Sequence, residues 1–243
     1  MDLRKNTSFN LGLYAAVSLV TIAGEVTNTH ALVYVCKPLM MVVLSSWFYF
    51  TSRRVGDRFT LLIQAGLFFS LIGDVALMFQ HVDEFNFLIG LGAFLIAQLC
   101  YSIAFLLNVL DAGRSRGDLI SSAIAVLIIA YGYFFAARLL PKVDETIAIP
   151  ITIYAVAICS MGVAAMFRLG RTFLRSFILV FAGALLFILS DSLLATNRFL
   201  TPLAHAPWSV MLTYAIAQAL IVWGALVHVL DPGEIRRKAA LST

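Results

Sequence analysis

The sequence predicts an all-α integral membrane protein, an eight-transmembrane-helix bundle, and three observations carry that reading. Hydrophobic residues fill 61% of the 243 positions and charged residues only 12%, with a mean hydropathy of +0.95. A soluble domain would be about a quarter charged. The apolar residues also gather into eight runs of the length that crosses ~30 Å of hydrocarbon, about 20 residues each. Finally, the connections between runs are too short to hold a further domain, so positions 1–243 read as a single polytopic membrane domain. The runs are too long for barrel strands, and hydrocarbon offers no water to a backbone left outside a helix.

In chain order the runs lie at roughly 9–26, 30–50, 60–80, 86–107, 119–140, 147–167, 176–196 and 208–229. The first lacks a small-residue cleavage pattern and reads as a retained helix. The longer connections, 51–58, 111–118, 168–175 and 200–207, carry turn or charge signals. A net charge of +4 does not point to nucleic acid as a partner, because the basic residues sit in short loops and build no basic domain. They report orientation instead. Arg4, Lys5, Arg53, Arg54, Arg58, Arg114, Arg116, Arg168, Arg171, Arg175, Arg236, Arg237 and Lys238 fall at the N-terminus, the even-numbered loops and the C-terminus. That is 13 basic residues against three on the other side, Arg138, Lys142 and Arg198, which keep company with Glu25, Asp83, Glu84, Asp144 and Glu145. Both termini are therefore expected in the cytoplasm. The compact loops favour a bacterial inner membrane over the endoplasmic reticulum. Cys36, Cys100 and Cys159 lie in apolar runs without CxxC spacing or a histidine cluster, and read as packing residues.

Two stretches look like copies. AGLFFSLIGDVALM, 65–78, and AGALLFILSDSLLATNRF, 182–199, each place an aspartate eight residues after a glycine, Asp74 after Gly66 and Asp191 after Gly183. The aspartates are 117 residues apart, and Ile96-Ala97-Gln98 returns as Ile216-Ala217-Gln218 after 120. Half-repeats of about 9–110 and 119–230 follow, four helices each. An even helix count makes the halves parallel, related by an axis along the membrane normal.

An aspartate at a helix centre costs about 2.5–3.5 kcal/mol on insertion scales, whereas each Leu, Ile or Phe returns only about 0.3–0.6. Asp74 and Asp191 are therefore candidate catalytic residues. Each lies 16 residues beyond an arginine, Arg58 or Arg175, which puts both about 24 Å from the cytoplasmic charges at 1.5 Å per residue. Lys37 enters from the opposite face to a similar level, and Pro38 loosens the backbone beside it. Tyr154 matches Lys37 under the 117-residue offset. Gln98, Tyr101, Tyr214 and Gln218 stand at similar or greater depth, so a polar cavity lined by these groups is expected, with all of them and Ser190 as substrate-binding candidates. Each has a structural alternative. The glutamines and tyrosines could be interhelical hydrogen-bonding groups, and the small residues Gly73 and Ser190 could serve close helix approach. Ser190 has no nucleophile elbow, the four histidines lie at helix ends or in loops, and no metal-ligand or phosphate-loop motif is present, so neither a metal nor another cofactor is expected.

Lys37-Pro38, Gly73-Asp74, Tyr101 with Phe105, Tyr154, Gly183-Ala184 through Phe187 and Ser190-Asp191 to Leu194-Ala195 and Phe199, and Tyr214 with Gln218, taken in this order, resemble the YhhN-type lysoplasmalogenase family over helices two to eight. The resemblance implies an integral membrane hydrolase that cleaves the vinyl-ether bond of lysoplasmalogens, with a lysophospholipid substrate drawn from the bilayer, releasing a fatty aldehyde and a glycerophospho-headgroup such as glycerophosphocholine or glycerophosphoethanolamine. Vinyl-ether hydrolysis needs a proton donor and a negative group for the oxocarbenium ion, and a singly protonated pair of carboxylates supplies both. One position departs: the family is expected to carry His in the fourth helix where Gln98 stands. Two other classes compete, a small-solute or proton-coupled transporter using the same carboxylates and a non-catalytic lipid-binding scaffold. The sequence assigns no oligomeric state and no headgroup preference.

Overall fold

A computed structural model of the chain describes residues 3–53 and 55–231. Among these it contains eight helices long and apolar enough to cross a membrane and no strands. They are α1 (Thr7–Val26), α2 (His30–Ser52), α3 (Arg58–Met78), α4 (Phe85–Ala112), α5 (Asp118–Leu139), α6 (Glu145–Met166), α7 (Leu174–Ala195) and α8 (Ala206–Val229). Each begins and ends near its apolar run, because the run is what membrane insertion selects. Arg54, Arg236, Arg237 and Lys238 of the charge pattern lie outside the described residues.

Local chemistry fixes several ends. Asn6 caps α1 by accepting the Phe9 amide at 3.0 Å, and Asp57 caps α3 by accepting that of Thr60 at 2.9 Å. Pro38 and Pro150 sit inside α2 and α6, where each removes one backbone hydrogen bond. The largest departure from the apolar pattern is α4, which runs a turn beyond its hydrophobic stretch to Ala112. The extra turn carries Asn108, whose side chain is buried in protein. Its Oδ1 accepts Nε of Arg168 at 2.9 Å, and its amide pairs with His228 at 2.9 Å.

Neighbouring helices pack in the order α1, α2, α3, α4, α6, α7, α8, and α8 returns to α1. Among the eight, α8 is the most buried and touches α1, α2, α3 and α7, whereas α5 is the least buried and leans chiefly on α6. The most extensive pairs are α3 with α4 and α7 with α8, and small residues make both possible. A side chain at Gly73 would place its first carbon 2.6 Å from the Phe94 ring, and one at Gly183 would stand 2.9 Å from the Ala217 carbonyl.

The ends joined by even-numbered loops are locked by Arg168. This fully buried residue follows α6, donates to Asn108 and to Ser176 at 2.9 Å, and lies over the Phe105 ring at 5.4 Å. Ser176 in turn donates to the Gly224 carbonyl at 2.8 Å. Burial draws the Arg168 guanidinium down to about 9, which leaves it charged at neutral pH. One side chain thus ties α4, α6, α7 and α8 together at that end.

Candidate active site

At the opposite end, where the connections after α1, α3 and α7 meet, two spaces open side by side. The polar one has a volume of about 330 Å³ and is lined by Lys37, Asp74, Ser190, Asp191 and Tyr214, with Glu25, Asn28, Gln80 and Asn197 at its rim. The second, about 90 Å³, is almost wholly apolar and runs between α4, α5, α6 and α7, past Leu91, Tyr131, Phe135, Tyr154 and Ile158. Leu77, Phe94, Asp191 and Leu194 belong to both walls.

Asp74 is only 2% exposed and accepts the Tyr214 hydroxyl at 2.8 Å. Tyr214 is set edge-on to Phe94 and Phe187, with ring centroids 5.8 and 5.5 Å away. One turn further along α8, the Gln218 amide donates to Ser70 at 3.0 Å and lies 3.4 Å from the Tyr214 hydroxyl, while its oxygen accepts the Tyr101 hydroxyl at 2.9 Å. Asp74 is thus the cavity end of a hydrogen-bonded chain that joins α3, α4 and α8. Asp191 is half-buried and accepts a hydrogen bond from the Tyr154 hydroxyl of α6. Ser190, next to it, donates to the Val210 carbonyl at 3.1 Å and fastens α7 to α8.

Both aspartates therefore face one polar space, with Lys37, Ser190 and Tyr214. Tyr154 borders the apolar pocket and reaches that space through Asp191. Tyr101 and Gln218 do not line it; they stand behind Asp74, as interhelical hydrogen-bonding groups do. Gln98 is fully buried on α4 and lines neither space. The ion pair of Lys37 is with Glu25, at 3.7 Å, while its attraction to Asp74 acts over a longer range.

Glu25, Asn28, Gln80 and Asn197 are the site neighbours that sequence reasoning missed, since it treats them as loop or interface residues. Glu25 lies within the last turn of α1, so its carboxylate can reach back along a spanning helix. Asn197 sits in a π-helical turn, Thr196–Leu200, that continues α7 past the site, and such turns gather at functional sites. Among the described residues no group of three His, Cys, Asp or Glu side chains is placed to hold a metal ion.

Fold and site together define a polytopic membrane protein with two carboxylates facing a cavity that adjoins an apolar pocket. The chain belongs to the YhhN family, whose model matches residues 32–225. It is similar to Lysoplasmalogenase TMEM86B of Sus scrofa, 32% identical over 186 residues that span 76% of this chain and 71% of the relative. The corresponding protein of Homo sapiens is 30% identical over 193 residues, 78% of this chain and 74% of the relative. A Lysoplasmalogenase of Mycobacterium tuberculosis (strain CDC 1551 / Oshkosh) is 30% identical over 139 residues, 57% of this chain and 50% of that protein. No solved structure matches.

Proposed function

We propose that this chain is a lysoplasmalogenase, a membrane-embedded hydrolase of the vinyl-ether bond, with Asp191 and Asp74 as its catalytic residues. Relatives so named, similar over most of the chain, support the activity. The observation that carries the site assignment is the position of Asp191 in the wall shared by a polar and an apolar space. An amphiphile whose two parts meet at a vinyl ether would set that bond there. The glycerophospho part lies in the polar cavity, and the first carbons of the chain lie in the apolar pocket. That pocket is too small for a whole fatty chain, so the remainder extends past the lipid-exposed α5 into the bilayer.

Asp191, as a carboxylic acid, transfers its proton to the β-carbon of the vinyl ether, and the π electrons form the new C–H bond. The α-carbon becomes an oxocarbenium ion. Asp74 stabilises it as a carboxylate, oriented by Tyr214 and with its negative charge opposed by Lys37. Water adds to the α-carbon and returns a proton to Asp191. Collapse of the hemiacetal then breaks the C–O bond and gives a fatty aldehyde and the glycerophospho alcohol. One water is consumed and both carboxyl groups are regenerated.

The charge pattern supports an orientation with both termini cytoplasmic and the cavity opening on the other face, and the compact loops favour a bacterial inner membrane. Hydrolysis is favoured over solute transport by what lies beneath Asp74. Tyr101, Phe105 and Gln218 are fully buried there, and Arg168 closes the far end. The decisive experiment is incubation of purified protein with an alkenyl lysophospholipid. Free aldehyde is the expected product; intact lipid, with the protein folded, would defeat the proposal.

A further inference from the structure

Beside the polar cavity lies a third space, of about 190 Å³, which shares Glu25, Asn28, Lys37, Leu77 and Gln80 with it. Its remaining wall is made by His30, Tyr34 and His81 together with Gly24, Val33 and Met78. His30 and His81 stack with centroids 5.9 Å apart, the Tyr34 ring stacks on Phe79 at 5.3 Å, and the Tyr34 hydroxyl stands 3.4 Å from His81. Glu25 and Lys37 form the doorway between the two spaces. At 3.7 Å they attract each other but are beyond hydrogen-bond reach, so both keep their bonding capacity for a ligand. Their side chains are 31% and 11% exposed. Glu25 precedes the segment that the family model matches.

A cation and an anion at one doorway complement a ligand that carries the opposite charges a short bridge apart. We infer that Glu25 and the aromatic side pocket form a headgroup subsite for the ammonium end of a zwitterionic phospholipid, while Lys37 takes the phosphate. The inference rests on the hydrolase reading above and adds to it the residue that selects the headgroup. A phosphodiester joined by two carbons to an ammonium or trimethylammonium group lies antiparallel to the Lys37–Glu25 pair, phosphate on Nζ and nitrogen on the carboxylate. The aromatic face of Tyr34 supplies the cation–π contact on which ammonium recognition commonly depends, with His30 and His81 beside it. Two charge pairs then replace one, and neither charge of the doorway is left without a partner. A phosphate monoester offers Lys37 a partner but brings a second negative charge toward Glu25, so it binds less well.

The test compares alkenyl lysophospholipids with one chain and two headgroups, phosphoethanolamine and phosphate alone. Wild-type protein is expected to have the higher kcat/KM for the first. Glu25→Gln is expected to shift the ratio of the two kcat/KM values by about tenfold or more toward the phosphate substrate. Glu25→Asp retains part of the preference, and Lys37→Met weakens both substrates together. Equal losses on both substrates in Glu25→Gln would overturn the inference, because Glu25 would then serve only to hold Lys37. A parallel measurement needs no turnover: glycerophosphoethanolamine should raise the melting temperature of wild type more than that of Glu25→Gln, whereas glycerol phosphate should not distinguish them in that direction. Equal stabilisation of both proteins by glycerophosphoethanolamine would also overturn it. If wild type released no aldehyde from either lipid, the hydrolase reading would fall, and the melting comparison would still decide the subsite.

Discussion

Asp74 and Asp191 stand in similar local sequence, eight residues beyond a glycine on a spanning helix, yet their surroundings differ. Asp74 is sealed into the bundle, held by Tyr214 and backed by Gln218, Ser70 and Tyr101, and it faces only the polar cavity. Asp191 is half-buried, held among the described side chains by Tyr154, and borders both the polar and the apolar space. Similar local sequence thus does not give two carboxylates the same surroundings. A carboxylate with the cation Lys37 in range to oppose its charge is the better placed of the two to act as the anion. One at a polar–apolar boundary is suited to meet a substrate carbon and give up a proton.

The comparison is broken most directly at the carboxylates. Asp191→Asn and Asp74→Asn keep the side-chain volume and remove the acid, so each should lower kcat for aldehyde release by about 10²–10⁴. The double variant should be scarcely worse than the weaker single, because the groups act as a unit. Their pH profiles should differ. Asp74→Asn leaves the donor in place, so its residual activity should still fall as pH rises, whereas that of Asp191→Asn should have lost this limb. A folded single variant with near-normal turnover would refute the paired mechanism.

A smaller effect is expected at the two tyrosines. Tyr154→Phe frees Asp191 to rotate away from the substrate carbon, and Tyr214→Phe removes the donor that orients the Asp74 carboxylate. Tyr214→Phe should cost roughly tenfold to a hundredfold in kcat, about the 1.5–3 kcal/mol of a hydrogen bond to a charged group, and Tyr154→Phe, whose partner is the neutral acid, about twofold to tenfold. Thermal unfolding should separate them. Tyr214→Phe keeps the ring against Phe94 and Phe187 but takes the donor from the buried Asp74 and the acceptor from the Gln218 amide, so it should also lower the melting temperature, while Tyr154→Phe, beside the half-buried Asp191, should leave it nearly unchanged.

Why the tyrosines divide in this way was only partly legible in the sequence. Eight apolar runs fix eight helices because length and hydropathy are local properties, and Asp74 and Asp191 stand out because charge in such runs is costly. Counting residues along a helix gives depth, which is why Lys37 and Tyr214 also arrive at the cavity. It does not give azimuth in helices that are apolar on every side, since no polar face shows which way a side chain points. Tyr101 and Gln218 were therefore expected in the cavity although they face the interior behind Asp74. Glu25 was passed over for the opposite reason: near a helix end a carboxylate looks solvated, and only the fold of α1 against α2 brings it to Lys37.

The apolar pocket offers a gentler handle on the Asp191 side. Ala155 lines it from α6, and Ala155→Phe should fill much of the space beside Ile158. The expected outcome is a rise of about tenfold in KM for the alkenyl lipid with kcat little changed, the pattern of lost ground-state binding. Lengthening the substrate chain should matter little, because the distal carbons lie in lipid. A KM that is unaffected by Ala155→Phe would place the chain elsewhere.

The smallest effect tests the Asp74 side from behind. Tyr101 is fully buried and donates to the Gln218 oxygen at 2.9 Å, two hydrogen bonds removed from the carboxylate. Tyr101→Phe takes away that donor without opening a cavity, since the ring that fills the notch over Gly66 remains. Gln218 still donates to Ser70, so it keeps its place under Tyr214. Interhelical hydrogen bonds inside membranes average only about 0.6 kcal/mol and reach about 1.7. The variant should therefore lose roughly 1 kcal/mol of stability and less than threefold in kcat. A loss of turnover as large as that of Tyr214→Phe, at unchanged stability, would mean that the chain from Tyr101 through Gln218 and Tyr214 acts on the charge of Asp74 rather than merely holding it in position.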